Sequence, residues 1–491
     1  MNSYKKAAAA LALALIGVGC SDFLGFSENP NNPTSGTPLQ QYVAMQANMA
    51  TRMEGQLARC AGVFVQQIIG SNNQQLQFCT QYLVQEGDIS GQMSGFYTGG
   101  GLLAMRNVQA AAQASGDNKL LGMAKVWEGF AMGTATSIWG DLPYSEALTP
   151  SIEEPILDSQ QSLYAAVQTR LDEGIAALQL AAASATGNCL PAEGDLIYCA
   201  TAVSQATQIA RWIRAAYTLK ARFHLHLVER NGVAEYTAAL AAAQNGINEP
   251  PAGATAAVQA MNGQAPGDFR FFHGSTQDVD GNIWGEFLST RQDLVAGNVL
   301  IQILKARTDP RLAAYFDANA QGQFVGANQN NVTVRPAGCP APPGPCASSA
   351  INTTTRRVFT FRQPMVTWAE NELVLAEAKF KTGDSTGAVA NVNNVRVAVG
   401  LAALPAPTFV DVMTEKYIAM FQTIDVWSDY KRTCIPTLVP FGTPPQAEVP
   451  GRMPYGSAER TANPHIPLPS AYPTGTTGVS ARRNWNDPNP C

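Results

Sequence analysis

The chain is poor in charge. Charged residues make up 14% of its 491 positions and the formal net charge is −5, against roughly 25% charged residues in an average soluble protein. No lysine/arginine stripe and no basic tail runs through it, so the electrostatic footprint of a nucleic-acid binder is missing. Histidine is scarce, with four in all. Two of these, His224 and His226 in "FHLHL", stand two apart on a predicted helix and face different ways. A zinc pair on a helix wants a spacing of three or four. No nucleophile elbow, zinc motif, P-loop or dinucleotide fingerprint is present, and nothing calls for a cofactor. Beyond the N-terminus no segment has the ~20 unbroken apolar residues of a membrane helix.

What is there begins with an export signal. Lys5 and Lys6 precede an apolar run from Ala7 to Val18, too short to span a bilayer. The run ends at Cys20, after Gly17-Val18-Gly19, and resembles a bacterial lipobox, although Gly17 stands where Leu, Val or Ile is usual. The resemblance implies cleavage before Cys20 and lipidation of its thiol, whose thiolate is the nucleophile that accepts the lipid. Residues 1–19 are then a lipoprotein signal peptide. Residues 20–38, with Pro30, Pro33 and Pro38 among asparagines, form a lipidated tether. The body is residues 39–491.

Setting Cys20 aside from nine cysteines leaves eight, an even number that suits an oxidising compartment. They fall into near neighbours: Cys60-Cys79, Cys189-Cys199, Cys339-Cys346 and Cys434-Cys491. Eight cysteines allow 105 pairings, so nearest-neighbour bridging is one scheme among many.

Apolar residues recur at helical spacing through 39–69, 102–115, 118–139, 160–182, 204–230, 233–246, 365–382, 385–399 and 408–430. Residues 71–98 lose the period and read as a long irregular excursion. Residues 250–360 read as loops with short strands, and the tail after Pro436 as mostly irregular. The expected fold class is mostly α: helix pairs like those of tetratricopeptide repeats, with inserted loops and a few short strands.

Several segments carry recognisable text. These are "SENPNNPT" after the lipobox, "WEGFAMGTATSIWGDLPYSEAL" (127–148), "MVTWAENELVLAEAKFKTGD" (365–384), "TEKYIAMFQTIDVWSDYKRTCIPTL" (414–438) and "GRMPYGSAERTANP" (451–464). In this order, across nearly the whole chain, they resemble the SusD/RagB family of nutrient-binding outer-membrane lipoproteins. Lys431 replaces the first of the family's paired arginines. The resemblance implies four helix pairs as scaffold, a glycan or other nutrient held by inserted loops, and no catalytic chemistry. It also implies a partner, a TonB-dependent (SusC-like) transporter in the outer membrane, over which the lipid-anchored protein sits as a lid at the cell surface. The motifs themselves read as structural. Gly140 ends a helix with Pro143 keeping it ended, Trp139 and Tyr144 pack the turn, and Glu372 and Glu377 are expected to meet arginines such as Arg396 or Arg432.

Neutral sugars need flat rings for their C–H faces and amides for their hydroxyls, in a partly open cleft. Two stretches offer that chemistry outside helical periodicity. The first supplies Asn72, Gln75, Phe78, Tyr82, Phe96 and Tyr97, and the second Phe271, Phe272 and Trp284. In "DVDGN", Asp278, Asp280 and Asn282 at alternate positions are weak candidates for calcium. The glycine is misplaced for an EF-hand, and an Asx turn is the stronger reading. Two other functions stay in play: a helical-repeat module that grips a protein and no small ligand, and a glycoside hydrolase, which would need two placed carboxylates.

Overall fold

The computed structural model describes residues 36–199, 203–260, 265–330, 332, 348–442, 448–468, 483–489 and 491. Fourteen helices of eight residues or more organise them. They are α1 (Pro38–Glu54), α2 (Gln56–Phe64), α3 (Glu86–Tyr97), α4 (Leu102–Ser115), α5 (Asn118–Trp139), α6 (Gln160–Ala182), α7 (Gln205–Leu225), α8 (Val233–Ala243), α9 (Ile283–Thr290), α10 (Asn298–Ala306), α11 (Trp368–Lys381), α12 (Ser385–Ala398), α13 (Phe409–Ala419) and α14 (Asp425–Thr433). The scaffold is a stack. Helix α1 lies on α4, α4 on α5, α5 on α6, α6 on α7, α7 on α8, α8 on α11 and α11 on α12. The mostly helical architecture with helix pairs is therefore as expected.

Sequence accounts for most helix starts. The Asp117, Ser159, Ser204 and Asp384 side chains accept backbone N–H groups at the first turns of α5, α6, α7 and α12. Thr37, Thr367 and Thr408 make reciprocal capping boxes with Gln40, Glu370 and Asp411. Each such cap contributes about 1 kcal/mol. Gly140 ends α5 at a φ of 78°, a value that favours glycine. Close approach explains the α5–α6 pairing. A Cβ on Gly122 would stand 2.6 Å from Leu178 Cγ and 2.8 Å from the Gly174 carbonyl oxygen, and one on Gly129 2.7 Å from Leu171. The core over this seam is aromatic. Phe269 meets Trp127 and Trp212 edge-on, each at 5.0 Å between centroids.

Buried ion pairs tie the C-terminal helices to this stack. Arg222 on α7 binds Glu370 on α11 at 2.6 Å and lies 3.5 Å from Asp425 on α14. His226 binds the same Asp425 at 2.9 Å, and Lys416 binds Asp429 at 2.9 Å. Arg432 clasps Glu377 through both guanidinium arms. Burial pushes the Asp425 carboxyl up, but Arg222 and His226 outweigh it and hold it well below the usual range. The Glu377–Arg432 pairing is as expected. Glu372 is not: its partners are the amides of Asn391 at 2.8 Å and Asn394 at 2.9 Å, while Arg396 reaches Glu415. The Lys431 ammonium, in place of an arginine, binds Asp487 at 3.0 Å and the Ser137 carbonyl at 2.8 Å.

Several boundaries differ from expectation. The segment 39–69 breaks at Gly55, where a Cβ would stand 2.3 Å from the Thr51 carbonyl oxygen, and ends in a strand, β1 (Ile68–Gly70). The segment 71–98 is not a long irregular excursion, because it holds a π-helical turn (Gln75–Thr80) and α3. Ile89, Met93 and Phe96 gave α3 a buried stripe at helical spacing, masked by its glycines and serines. The segment 408–430 is two helices. Cys60-Cys79, Cys189-Cys199 and Cys434-Cys491 are bridged as paired from sequence. Cys20, Cys339-Cys346 and the tether through residue 35 lie outside the described residues.

Candidate functional site

Glu54, the last residue of α1, ties the second loop stretch to the helical stack. Its carboxylate is fully buried and accepts from His273 Nε2 and Asn282 Nδ2, each at 3.0 Å. Asn282 Oδ1 in turn accepts from the backbone of Trp284 and Gly285 and starts α9. Helix α9 then lays the Phe287 ring 4.1 Å from the Arg59 guanidinium of α2, with Arg291 5.6 Å from the same ring. Arg291 reaches Asp293 at 4.0 Å, and Asp293 accepts from Asn73 Nδ2 at 2.9 Å. Strand β1 pairs antiparallel with residues Leu294–Ala296. The start of the first stretch and the end of the second, far apart in sequence, are thus adjacent.

A third wall comes from segments that sequence reasoning missed. Asn330 Nδ2 donates to the Pro440 carbonyl and its Oδ1 accepts from Gly442, both at 2.9 Å. Gln66 Nε2 donates to the Val439 carbonyl at 2.6 Å. The run "GANQNN" (326–331) was the available signal, a cluster of amides after a short helix.

The predicted residues divide. Asn72, Phe78 and Tyr97 are half-buried, and Phe272 is exposed with 44% of its surface free. Arg362 sits 5.7 Å from the Phe272 ring, and Tyr97 donates to the Pro143 carbonyl at 3.0 Å. Gln75 and Tyr82 are buried. Gln75 donates to Gln56 at 2.9 Å, and the Tyr82 ring packs between Phe64 and Phe441. Burial also pushes the Tyr82 phenol far above its ordinary range. Phe96, Phe271 and Trp284 are corrections to the site as expected from sequence: all three lie in the core. Phe96 meets Trp139 edge-on and Phe271 lies against His273. A ring without a free face cannot stack on a sugar.

The calcium candidates are also spent. Asp280 accepts from the Thr276 backbone at 2.9 Å and Asn282 is a helix cap, so "DVDGN" is a turn followed by a cap. Among the described residues no group of three or more His, Cys, Asp and Glu side chains could hold a metal ion. His226 binds Tyr164 and Asp425, and His224 binds Glu235. Two hollows lie elsewhere. One, of about 350 Å³, is lined by Phe130, Arg222, Gln363, Gln422 and Asp425. The other, of about 390 Å³, is lined by Val258, Asp268, Trp368 and Val399. Neither is lined by the exposed or half-buried Asn72, Phe78, Tyr97 or Phe272.

These loops, on a stack of helix pairs, define a binding protein built on a helical-repeat scaffold. Residues 30–456 match the SusD-like family, described as starch-binding and associating with the outer membrane, and the chain belongs to that family. No curated protein matches the chain. Among solved structures, a SusD-like protein from Bacteroides thetaiotaomicron is similar at a TM-score of 0.70 and 17% identity, over 92% of this chain and 98% of its own. A chitin-binding protein is similar at 0.69 and 21%, over 92% and 100%. A chitin-binding SusD homologue from Flavobacterium johnsoniae is similar at 0.65 and 16%, over 92% and 99%. At these identities the likeness is one of fold. The family is one of binding proteins, not enzymes.

Proposed function

We propose that the chain binds an oligosaccharide through the loops that carry Asn72, Phe78, Tyr97 and Phe272 and delivers it to a TonB-dependent outer-membrane transporter. The observation that carries this reading is the junction of the two stretches through strand β1 and the Asn73–Asp293 bond, with Asn72 and Phe78 half-buried and Phe272 exposed. Half-exposed aromatic faces suit the C–H faces of a sugar, and amides suit its hydroxyls. The family's description as starch-binding and the chitin-binding relatives support a glycan as ligand. The family's association with the outer membrane supports anchoring through acylated Cys20, with residues 21–38 as tether and 39–491 as the binding domain. Several acyl chains, at ~0.8 kcal/mol per buried methylene, make such an anchor stable.

Affinity electrophoresis through gels containing starch or soluble chitin derivatives tests the ligand class. Retention that weakens in Phe272→Ala and Phe78→Ala, with no reducing ends released, is the expected result. Equal mobility in every polysaccharide gel would leave the reading without its ligand. Release of reducing ends would make the protein a hydrolase. For the anchor, Cys20→Ala is expected to move the protein from the membrane pellet to the soluble fraction, and an unchanged pellet would remove the lipid from the account.

A further inference from the structure

Arg59 stands out as a buried cation without a carboxylate. It is 8% exposed, on a helix whose neighbours are almost all apolar. Only its Nη2 has a hydrogen-bond acceptor, Gln56 Oε1 at 3.2 Å, while Nε and Nη1 have none. Folded proteins pair nearly all such donors, and an unpaired buried charge is costly. In place of a carboxylate, Arg59 has the Phe287 ring at 4.1 Å, and beyond that ring a second cation, Arg291. Exposure rises along this stack, from buried Arg59 through half-buried Phe287 to exposed Arg291. Arg291 has one nearby carboxylate, Asp293, at 4.0 Å, and the Asp293 Oδ2 is also without a hydrogen bond. In a chain of net charge −5 this is a local excess of positive charge. Burial, together with repulsion from Arg291, pulls the Arg59 guanidinium down to about 9.

We infer that Arg59, Phe287 and Arg291 form a subsite for an anionic substituent, a carboxylate or a sulfate ester, on the bound glycan. The inference rests on the proposed glycan-binding surface and deepens it, since Asn73 and Asp293 join this cluster to that surface. Phe287, on a short helix, lies over the face of the guanidinium and leaves its edges uncovered by the ring. A carboxylate or sulfate that displaces Gln56 Oε1 from Nη2 meets the parallel Nε and Nη2 donors side-on, the geometry in which Arg222 holds Glu370. Arg291, at the rim, attracts the anion on approach.

Calorimetry with the intact protein separates the outcomes. The probes are an oligogalacturonide, its methyl ester, a sulfated oligosaccharide and its desulfated counterpart. The acid or the sulfate is expected to bind about tenfold tighter than its neutral counterpart, with an advantage that shrinks as salt rises. Whichever anion shows the advantage identifies the substituent. Arg59→Met and Arg291→Gln should each remove the preference. Arg214→Gln, which removes the same charge at the half-buried Glu249 pair, should keep it. Arg59→Met should also raise the melting temperature, because it deletes an unpaired buried charge, and a purely structural arginine would lower it. Arg291→Gln, at an exposed position, keeps the test valid if Arg59→Met folds poorly. Equal affinity for charged and neutral forms, or a preference that survives Arg59→Met, overturns the anionic subsite and leaves the glycan reading standing. Failure to bind any of the four probes, after failure in the polysaccharide gels, removes both.

Discussion

Replacing Glu54 by alanine tests the contact that ties residues 273–282 to α1. The carboxylate is fully buried and serves two donors, His273 Nε2 and Asn282 Nδ2, from a loop more than two hundred residues away. Alanine leaves a buried imidazole and a buried amide without their acceptor. An unsatisfied buried polar group costs about 1–3 kcal/mol, and breaking a buried charged pair from one side costs about 3–5 kcal/mol. The two figures describe the same loss, so roughly 4 kcal/mol is expected in urea unfolding. Limited proteolysis should then cut first within 274–281, the exposed turn that the contact pins. Glutamine keeps one acceptor and should lose less, about 1–2 kcal/mol.

The pair also sets a pH dependence. Burial pulls the His273 imidazole down, but Glu54 and the Asp280 carbonyl outweigh it, and the net direction is up from 6.5. A group raised in the fold stabilises most below its unfolded value, and that contribution is lost as pH rises through the folded value. Stability from this contact should therefore fall on the alkaline side of pH 6.5, and the slope should vanish in Glu54→Gln. The chain has four histidines, so the His273 resonance can be followed by NMR. A His273 titration at or below 6.5 in the wild type, or a Glu54→Ala protein as stable as the parent with 274–281 still protected, would refute the reasoning.

Three other outcomes follow from the packing. Burial raises the Asp268 carboxyl from 3.8 to about 6, against attraction from Arg270. Asp268→Asn keeps an acceptor for the Trp368 N–H and should stabilise the fold by up to about 3 kcal/mol at pH 7.5, with the gain gone at pH 4; equal gains at both pH values in urea melts would contradict this. Gly122→Ala puts a methyl against the Leu178 side chain and the Gly174 carbonyl, and a loss of about 1–3 kcal/mol is expected; an unchanged melting temperature would mean that α5 and α6 are less closely seated. Cys434→Ser with Cys491→Ser opens a loop of 57 residues, worth about 4 kcal/mol by chain entropy; it should expose the segment around Trp485 to protease, and full protection there would show that Lys431–Asp487 and Asn486 hold the tail without the bridge.

The helix pairs were legible in the sequence, their caps lie in residues beside them, and six cysteines follow the nearest-neighbour scheme that the sequence offered as one among many. These are local: a period of three or four, a Thr or Asp before it, a glycine after it, or two cysteines near each other in the chain. Text such as "WEGFAMGTATSIWGDLPYSEAL" went further, because it records how neighbouring helices must turn. The site was half legible. Composition marked 71–98 and 269–286 as unusual, but a ring in a polar stretch looks the same whether it plugs the core or faces water. Only folding separates Phe272, left exposed, from Phe271 beside it and Trp284, which are buried. Arg59 escaped notice for the converse reason, as one cation in an apolar helix that reads as ordinary surface until its neighbours are known. Tertiary structure decided these cases because burial and charge pairing are properties of residues brought together from distant parts of the chain, as Arg59 meets Phe287 and Glu54 meets His273.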